Sequence, residues 1–126
     1  MIQLFYVALG GAIGASLRHL SGLAALRLFG ASFPYGTFFV NVVGSFLMGA
    51  LIAWLARKGA SVGPEWRLLL ATGVLGGFTT FSAFSLDAVQ LWERGQGGAA
   101  ISYVIGSVVL SILALTAGLM LVRAST

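Results

Sequence analysis

Four long apolar stretches, each carrying a few polar residues, alternate along the chain with three short polar connections. The first covers residues 4–29 and is apolar apart from Ser16, Arg18, His19, Ser21 and Arg27. The tight connection Ser32-Phe33-Pro34-Tyr35-Gly36 leads into the second, residues 34–57, which ends at the basic stop Arg57-Lys58. Gly59 to Glu65 then supplies Gly, Ser, Pro and an acid, so Pro64 and Glu65 fit the first turn of a third helix over residues 66–92. Glu93-Arg94-Gly95-Gln96-Gly97-Gly98 is the last turn, and residues 99–122 form the fourth stretch, closed by Arg123. Each stretch is long enough to cross about 30 Å of hydrocarbon as a helix. Trp66 and Trp92 bracket the third as an aromatic belt does. The pattern predicts an all-α membrane protein, one domain over residues 1–126, with four transmembrane helices.

The third stretch contains the most informative peptide, Gly76-Gly77-Phe78-Thr79-Thr80-Phe81-Ser82-Ala83-Phe84. Glycine weakens a helix and hydroxyls need partners, so this peptide predicts a helix broken near Gly76–Thr79. At membrane depth a break is tolerated only where neighbouring protein or a polar pathway satisfies the freed backbone. It marks a place for a polar ligand.

The remaining polar residues fall into lines. Gly10, Gly14 and Arg18 recur every four residues along one face, the glycines as a close-packing pair. Within a span, the Arg18 guanidinium must find carbonyls, an anion or a water-filled vestibule, unless it snorkels to the interface. Thr37, Asn41 and Ser45 form a second line, and Tyr103, Ser107 and Ser111 a third. The Asn41 amide offers two N–H donors without a formal charge, suited to an anion, while its packing role is an interhelical bond. Membrane serines commonly bond back to their own backbone, and a phenylalanine stripe such as Phe78, Phe81 and Phe84 is commonly packing. Ring edges nevertheless carry the positive part of the quadrupole and can face an anion. Gly73 and Gly77 form another close-packing pair, and an unwound segment from Gly76 to Thr79 would expose carbonyls for a small cation. Asp87, the only acid within a span, is explained by a wet vestibule or by an Arg18 or Arg94 partner.

Composition sharpens this. Of 126 residues 59% are hydrophobic and 8% charged, with mean hydropathy +1.01, as in integral membrane proteins. The net charge of +4 is scattered, without the basic stripe or motif of a nucleic-acid binder. Cysteine is absent, which excludes disulfides and thiolate chemistry, and the single histidine, His19, beside Arg18 is a poor start for a metal site. The N-terminal stretch lacks a basic leader region and is interrupted by Arg18, so it is expected to remain as the first span. Neither end carries a lipidation motif. Arg57, Lys58, Arg67 and Arg123 fall on one side of four spans, and Arg27 and Arg94 on the other, with Arg18 a possible third. So weak a bias allows insertion in both directions and an antiparallel pair. Four helices are also too thin to enclose a polar pathway, so a second subunit is expected to complete one. The inventory of donors, aromatic edges and one Arg favours an anion over a cation. It offers no nucleophile with its base, no metal cluster and no phosphate loop for catalysis.

Three motifs, Gly10-x3-Gly14-x3-Arg18, Gly36-Thr37-x3-Asn41-x2-Gly44 and Gly73-x2-Gly76-Gly77-x-Thr79-Thr80-Phe81-Ser82-x-Phe84, resemble the Fluc-type fluoride channels, also called CrcB proteins. The resemblance spans the whole length. It implies an antiparallel, dual-topology homodimer in the cell membrane that passes fluoride passively out of a microbial cytoplasm, lowering its toxicity, through two pores. By position in the motifs, Asn41 would be the pore-lining donor and Phe81 and Phe84 the ring edges that contact fluoride. Thr80 and Ser82 lie in the same stretch, and Tyr103, Ser107 and Ser111 would form the facing hydroxyl track. Gly76 and Thr79 would give backbone carbonyls from both subunits to a structural sodium ion, and Arg18 would sit at a wet vestibule. Two residues depart from the family pattern: Ala83 stands where a second Thr is often found, and His19 where an aromatic is commoner. Fluoride is small and tightly hydrated, so a selective pore must replace its water with closely placed neutral donors.

Two other readings compete. A proton-coupled exporter of organic cations would share short spans and dual topology but needs an embedded glutamate in its first span, where this chain has Arg18 instead. A non-transporting scaffold would use the glycines and polar lines only to join helices.

Overall fold

The computed structural model describes residues 1–125, and among them every regular element is helical. Helix α1 spans Ile2–Phe29 and α2 spans Tyr35–Lys58. A single 3₁₀ turn, Gly59–Ser61, leads to α3 (residues 64–78), followed by α4, Phe81–Glu93, and α5, Gly97–Ala124. The helix ends lie within a few residues of the ends of the apolar stretches, and the third stretch is interrupted at Thr79 and Thr80.

The helices stop where the chain chemistry stops them. Gly30 (φ +81°) ends α1 and donates its N–H to Leu26 O at 2.9 Å, and Gly59 (φ +56°) ends α2 with a bond to Leu55 O. Pro64 opens α3 at its first turn, with Glu65 beside it to favour the positive end of the helix dipole.

Inside α3, residues Leu68–Leu75 are wound as a π-helix, between α-helical turns at Pro64–Arg67 and Gly76–Phe78. Nothing in Leu-Leu-Leu-Ala-Thr-Gly-Val-Leu announces that winding. What fixes α3 in place is contact with α1 through glycines. A Cβ on Gly73 would meet Gly10 Cα at 2.8 Å, and one on Gly77 would meet Gly11 O at 2.8 Å. A Cβ on Gly14 would come closer still to Val74 O. The two glycine pairs seen in sequence thus interlock with one another, and a methyl at either would push the helices apart. A second glycine contact joins α2 to α5, with Gly49 against Leu115 O and Gly118 against Phe46 O. Arg57 donates to Val122 O at 3.3 Å, so α2 and α5 end at the same face of the bundle.

The break corrects the sequence expectation in position. Gly76 and Gly77 remain helical, with Gly76 at φ −62°, ψ −38°. The chain extends instead at Thr79 (φ −87°, ψ 159°) and Thr80 (φ −154°, ψ 121°). The β-branched pair accepts extended backbone readily, whereas Gly77 is packed in its helical turn against Gly11 and Ala15 of α1. Thr80 then starts α4 as its N-cap, accepting from Ala83 N at 3.1 Å.

Little of the molecule is buried. A small core of Phe84, Leu91, Ala100 and Tyr103 lies between α4 and α5, while large apolar side chains from Phe5 to Leu121 face outward. Among the described residues three stretches are long and apolar enough to cross a membrane: Tyr35–Ser61, Pro64–Glu93 and Gly97–Ala124, with mean hydropathies of 2.0, 1.5 and 2.4. In the last, only 11% of the most apolar window is buried, an exterior suited to hydrocarbon rather than water. Helix α1 has the same 28-residue length as α5 but carries Arg18, His19 and Arg27, and it is not among the three.

Candidate functional site

Two hollows gather most of the polar residues singled out in the sequence. The larger, about 460 Å³, lies at the end of the bundle where α1 turns into α2, and is lined by Arg18, His19, Thr37, Asp87, Gln90 and Arg94 among others. The smaller, about 230 Å³, is a groove between α2, the break and α5. Its lining includes Asn41, Ser45, Thr79, Thr80, Phe81, Phe84, Ser107 and Ser111. The fold thus gathers into one groove the amide line of α2, the hydroxyl line of α5 and the two phenylalanines.

Asn41 holds the break by its main chain. Its Oδ1 accepts from Thr80 N at 2.8 Å while its Nδ2 donates to Thr80 O at 3.0 Å. These bonds fix which end of the amide is oxygen, because only oxygen can accept from an N–H. They also leave one Nδ2 hydrogen uncommitted. The interhelical and ligand-facing roles weighed for Asn41 are therefore compatible.

Ser107 behaves unlike the hydroxyls that bond back within their own helices. Ser16, Ser85 and Thr116 bond back to carbonyls four residues earlier, at 2.6, 3.0 and 2.9 Å. Ser107 is 4% exposed and its Oγ has no partner. A buried hydroxyl left unbonded costs about 1–3 kcal/mol, so its presence at the groove wall asks for an occupant. Phe84 is buried against the groove, with its ring 5.5 Å from that of Phe81. Phe81 itself is 76% exposed and stands at the groove's open edge.

Other expected residues fall elsewhere. Ser82 is exposed and outside the groove, its Oγ 3.3 Å from that of Thr80. Tyr103 is also outside it: the ring is packed between Phe33 and Phe84, at 5.4 and 5.2 Å, and the phenol donates to Asp87 Oδ2 at 3.2 Å. Tyr103 thus stands between the two hollows, since Asp87 lines the larger and Phe84 the smaller. Asp87 shares that larger hollow with Arg18 and Arg94, as expected, yet among the described residues its hydrogen bond is to Tyr103. Arg18 lines the same hollow and also donates Nε to Gly77 O at 3.0 Å. Around the break, Gly77 and Thr80 therefore have their carbonyls taken by Arg18 and Asn41. Thr79 bonds to Leu75 O through both its N–H and its Oγ1, at 3.1 and 3.0 Å. Gly76 is exposed. Ser45 is a groove residue that the four-residue spacing from Asn41 signals; Val108 has no such signal.

The groove presents uncharged donors and an aromatic edge, with no ionised side chain. Such a surface can replace part of the hydration of a small anion without trapping it. Among the described residues no three His, Cys, Asp or Glu side chains gather to hold a metal ion.

Comparison with known proteins accords with this chemistry. A family profile described as "CrcB-like protein, Camphor Resistance (CrcB)" matches residues 5–119. The chain is 62% identical over 123 residues to a protein named fluoride-specific ion channel FluC from Chelativorans sp. (strain BNC1), covering 98% of each. It is 60% identical to one of the same name from Cereibacter sphaeroides (strain ATCC 17029 / ATH 2.4.9), covering 96% of this chain and 94% of that one. A third, from Caulobacter sp. (strain K31), is 51% identical over 98% of this chain and 96% of its own. With the match running through both glycine pairs, the break and the donor-lined groove, the chain belongs to the CrcB family.

Proposed function

We propose that the protein is a fluoride-selective channel of the cell membrane, releasing fluoride from the cytoplasm down its electrochemical gradient. The unpartnered Ser107 hydroxyl carries the reading, because it faces a groove that also holds the spare Asn41 hydrogen, Ser45 and Ser111. A dehydrated fluoride ion there receives several short neutral hydrogen bonds at once, and none is a buried charge that would hold it. The Phe84 ring adds its positive edge. The larger hollow, with Arg18 and Arg94, draws anions toward Tyr103.

Helix α1 is the fourth span in this reading. At 28 residues it is about 42 Å long, and glycine contacts hold it along α3. The chain works as an antiparallel homodimer. Support comes from Phe81, 76% exposed at the open side of the groove, and from Gly76 exposed nearby. A second copy would close the groove, and the weak charge bias permits it to insert the other way up. The Gly76 and Thr79 carbonyls, which neither Arg18 nor Asn41 takes, suit a structural sodium ion shared with the second copy. When bound, that ion would supply positive charge that offsets the cost of an anion in low dielectric.

Fluoride efflux from liposomes holding the purified protein, followed with a fluoride electrode, tests the function. Fluoride release without a proton gradient, with chloride retained, is expected. Equal release of both ions, or none of either, refutes the reading.

A further inference from the structure

The line Gly10, Gly14, Arg18 has a geometric meaning that close packing alone does not give. Gly10 faces Leu69 and Gly73, Gly14 faces Val74 and Phe78, and Arg18 donates to Gly77 O. One face of α1 therefore follows α3 to the point where its helix stops. There the chain is extended at Thr79 and Thr80, so Phe81 N–H, the helical partner of Gly77 O four residues on, does not reach it, and Thr80 N–H has gone to Asn41. The Gly77 carbonyl is accordingly served by a side chain, and Arg18 is that side chain. Arg18 is half-buried, contributes Nε alone to this bond, and sits at the wall of the larger hollow.

We propose that Arg18 is a positioning residue that fixes the break, gripping it at Gly77 as Asn41 grips it at Thr80, rather than chiefly a charge that gathers anions. The break is held at both ends, by a cation on the carbonyl of Gly77 and by an amide on both main-chain groups of Thr80. Between these grips lie Phe78 and Thr79, so the aim of Thr79 and of the following Phe81 depends on both. Loosening the first grip lets the 78–80 backbone turn while leaving the groove's own side chains intact. The effect on ion flow rests on the channel reading above, but the grip itself does not.

R18K separates the two roles, because lysine keeps the charge and loses the planar Nε–H. Hydrogen exchange of the peptide covering residues 76–83 is compared with that of α5, together with fluoride flux against fluoride concentration in liposomes. Positioning predicts about tenfold faster exchange in 76–83 with α5 unchanged, and about tenfold lower maximal flux at an unaltered half-saturating concentration. Exchange and maximal flux equal to wild type overturn the proposal. So does a deficit that high fluoride erases, which is the mark of anion gathering. If R18K is not recovered folded, R18Q, which removes the charge as well, is judged by exchange at 76–83 alone, and wild-type exchange there overturns the proposal. Failure of the channel reading shows separately, as wild-type protein that passes no fluoride but still exchanges slowly at 76–83.

Discussion

Replacing Ser107 with alanine is expected to make the protein more stable and less conductive. The side chain is 4% exposed and its Oγ has no partner, so folding strips a hydroxyl of water and returns nothing to it. Mutational data place that cost at about 1–3 kcal/mol, and Ser107→Ala removes it while leaving only an oxygen-sized space. The expected gain is about 1 kcal/mol, the low end, because the groove beside Ser107 is open. Against this, a fluoride ion in the groove loses one hydrogen bond to an ionised partner, which lowers flux about tenfold. The assay pairs an unfolding midpoint in detergent, read from tryptophan fluorescence, with fluoride efflux from liposomes. A lower midpoint with unchanged efflux would refute the reasoning, since it would mean that Ser107 is bonded within the protein and idle toward the ion.

Three further outcomes follow from contacts already described. Asn41→Ala removes two bonds to Thr80 and should cost about 2 kcal/mol, seen as a lower unfolding midpoint and faster amide exchange at Thr80. Gly14→Ala drives a methyl into Val74 O and should cost about 1–3 kcal/mol, seen as a lower midpoint, whereas Gly22→Ala, with open space at its Cβ, should leave it unchanged. Phe84→Ile removes the ring packed on Tyr103 and Phe81 and should abolish fluoride flux in a protein that still elutes at the wild-type volume; persistent flux would show that the ring is only packing.

Element boundaries were legible because their causes are local. Gly30, Gly59 and Pro64 act through their own backbone preferences, and the apolar runs announce their lengths. The groove was legible in part. Four-residue spacing placed Asn41 with Ser45, and Ser107 with Ser111, on single faces, and the fold turned both faces to the same hollow. Tyr103 shares the Ser107 line but is a turn away, where Phe33, Phe84 and Asp87 close around it. Spacing cannot distinguish those two fates, because they depend on what the neighbouring helix presents at each depth. The flexibility of Gly76 and Gly77, a local property, points to a break that begins two to three residues before the extended Thr79 and Thr80; the smallness of Gly77, needed against Gly11 of α1, is a property of the packed molecule. The π-helical winding of Leu68–Leu75 has no composition signal.

The amide of Asn41 reads only the main chain of residue 80, one N–H and one C=O. The geometry of the break is thereby separated from the chemistry of the side chain it displays. Position 80 becomes an interchangeable socket: any residue with an N–H can be mounted there while the extended backbone stays where it is, at the cost of the Thr80 cap on Ala83. Proline alone is barred, for want of the hydrogen that Asn41 accepts.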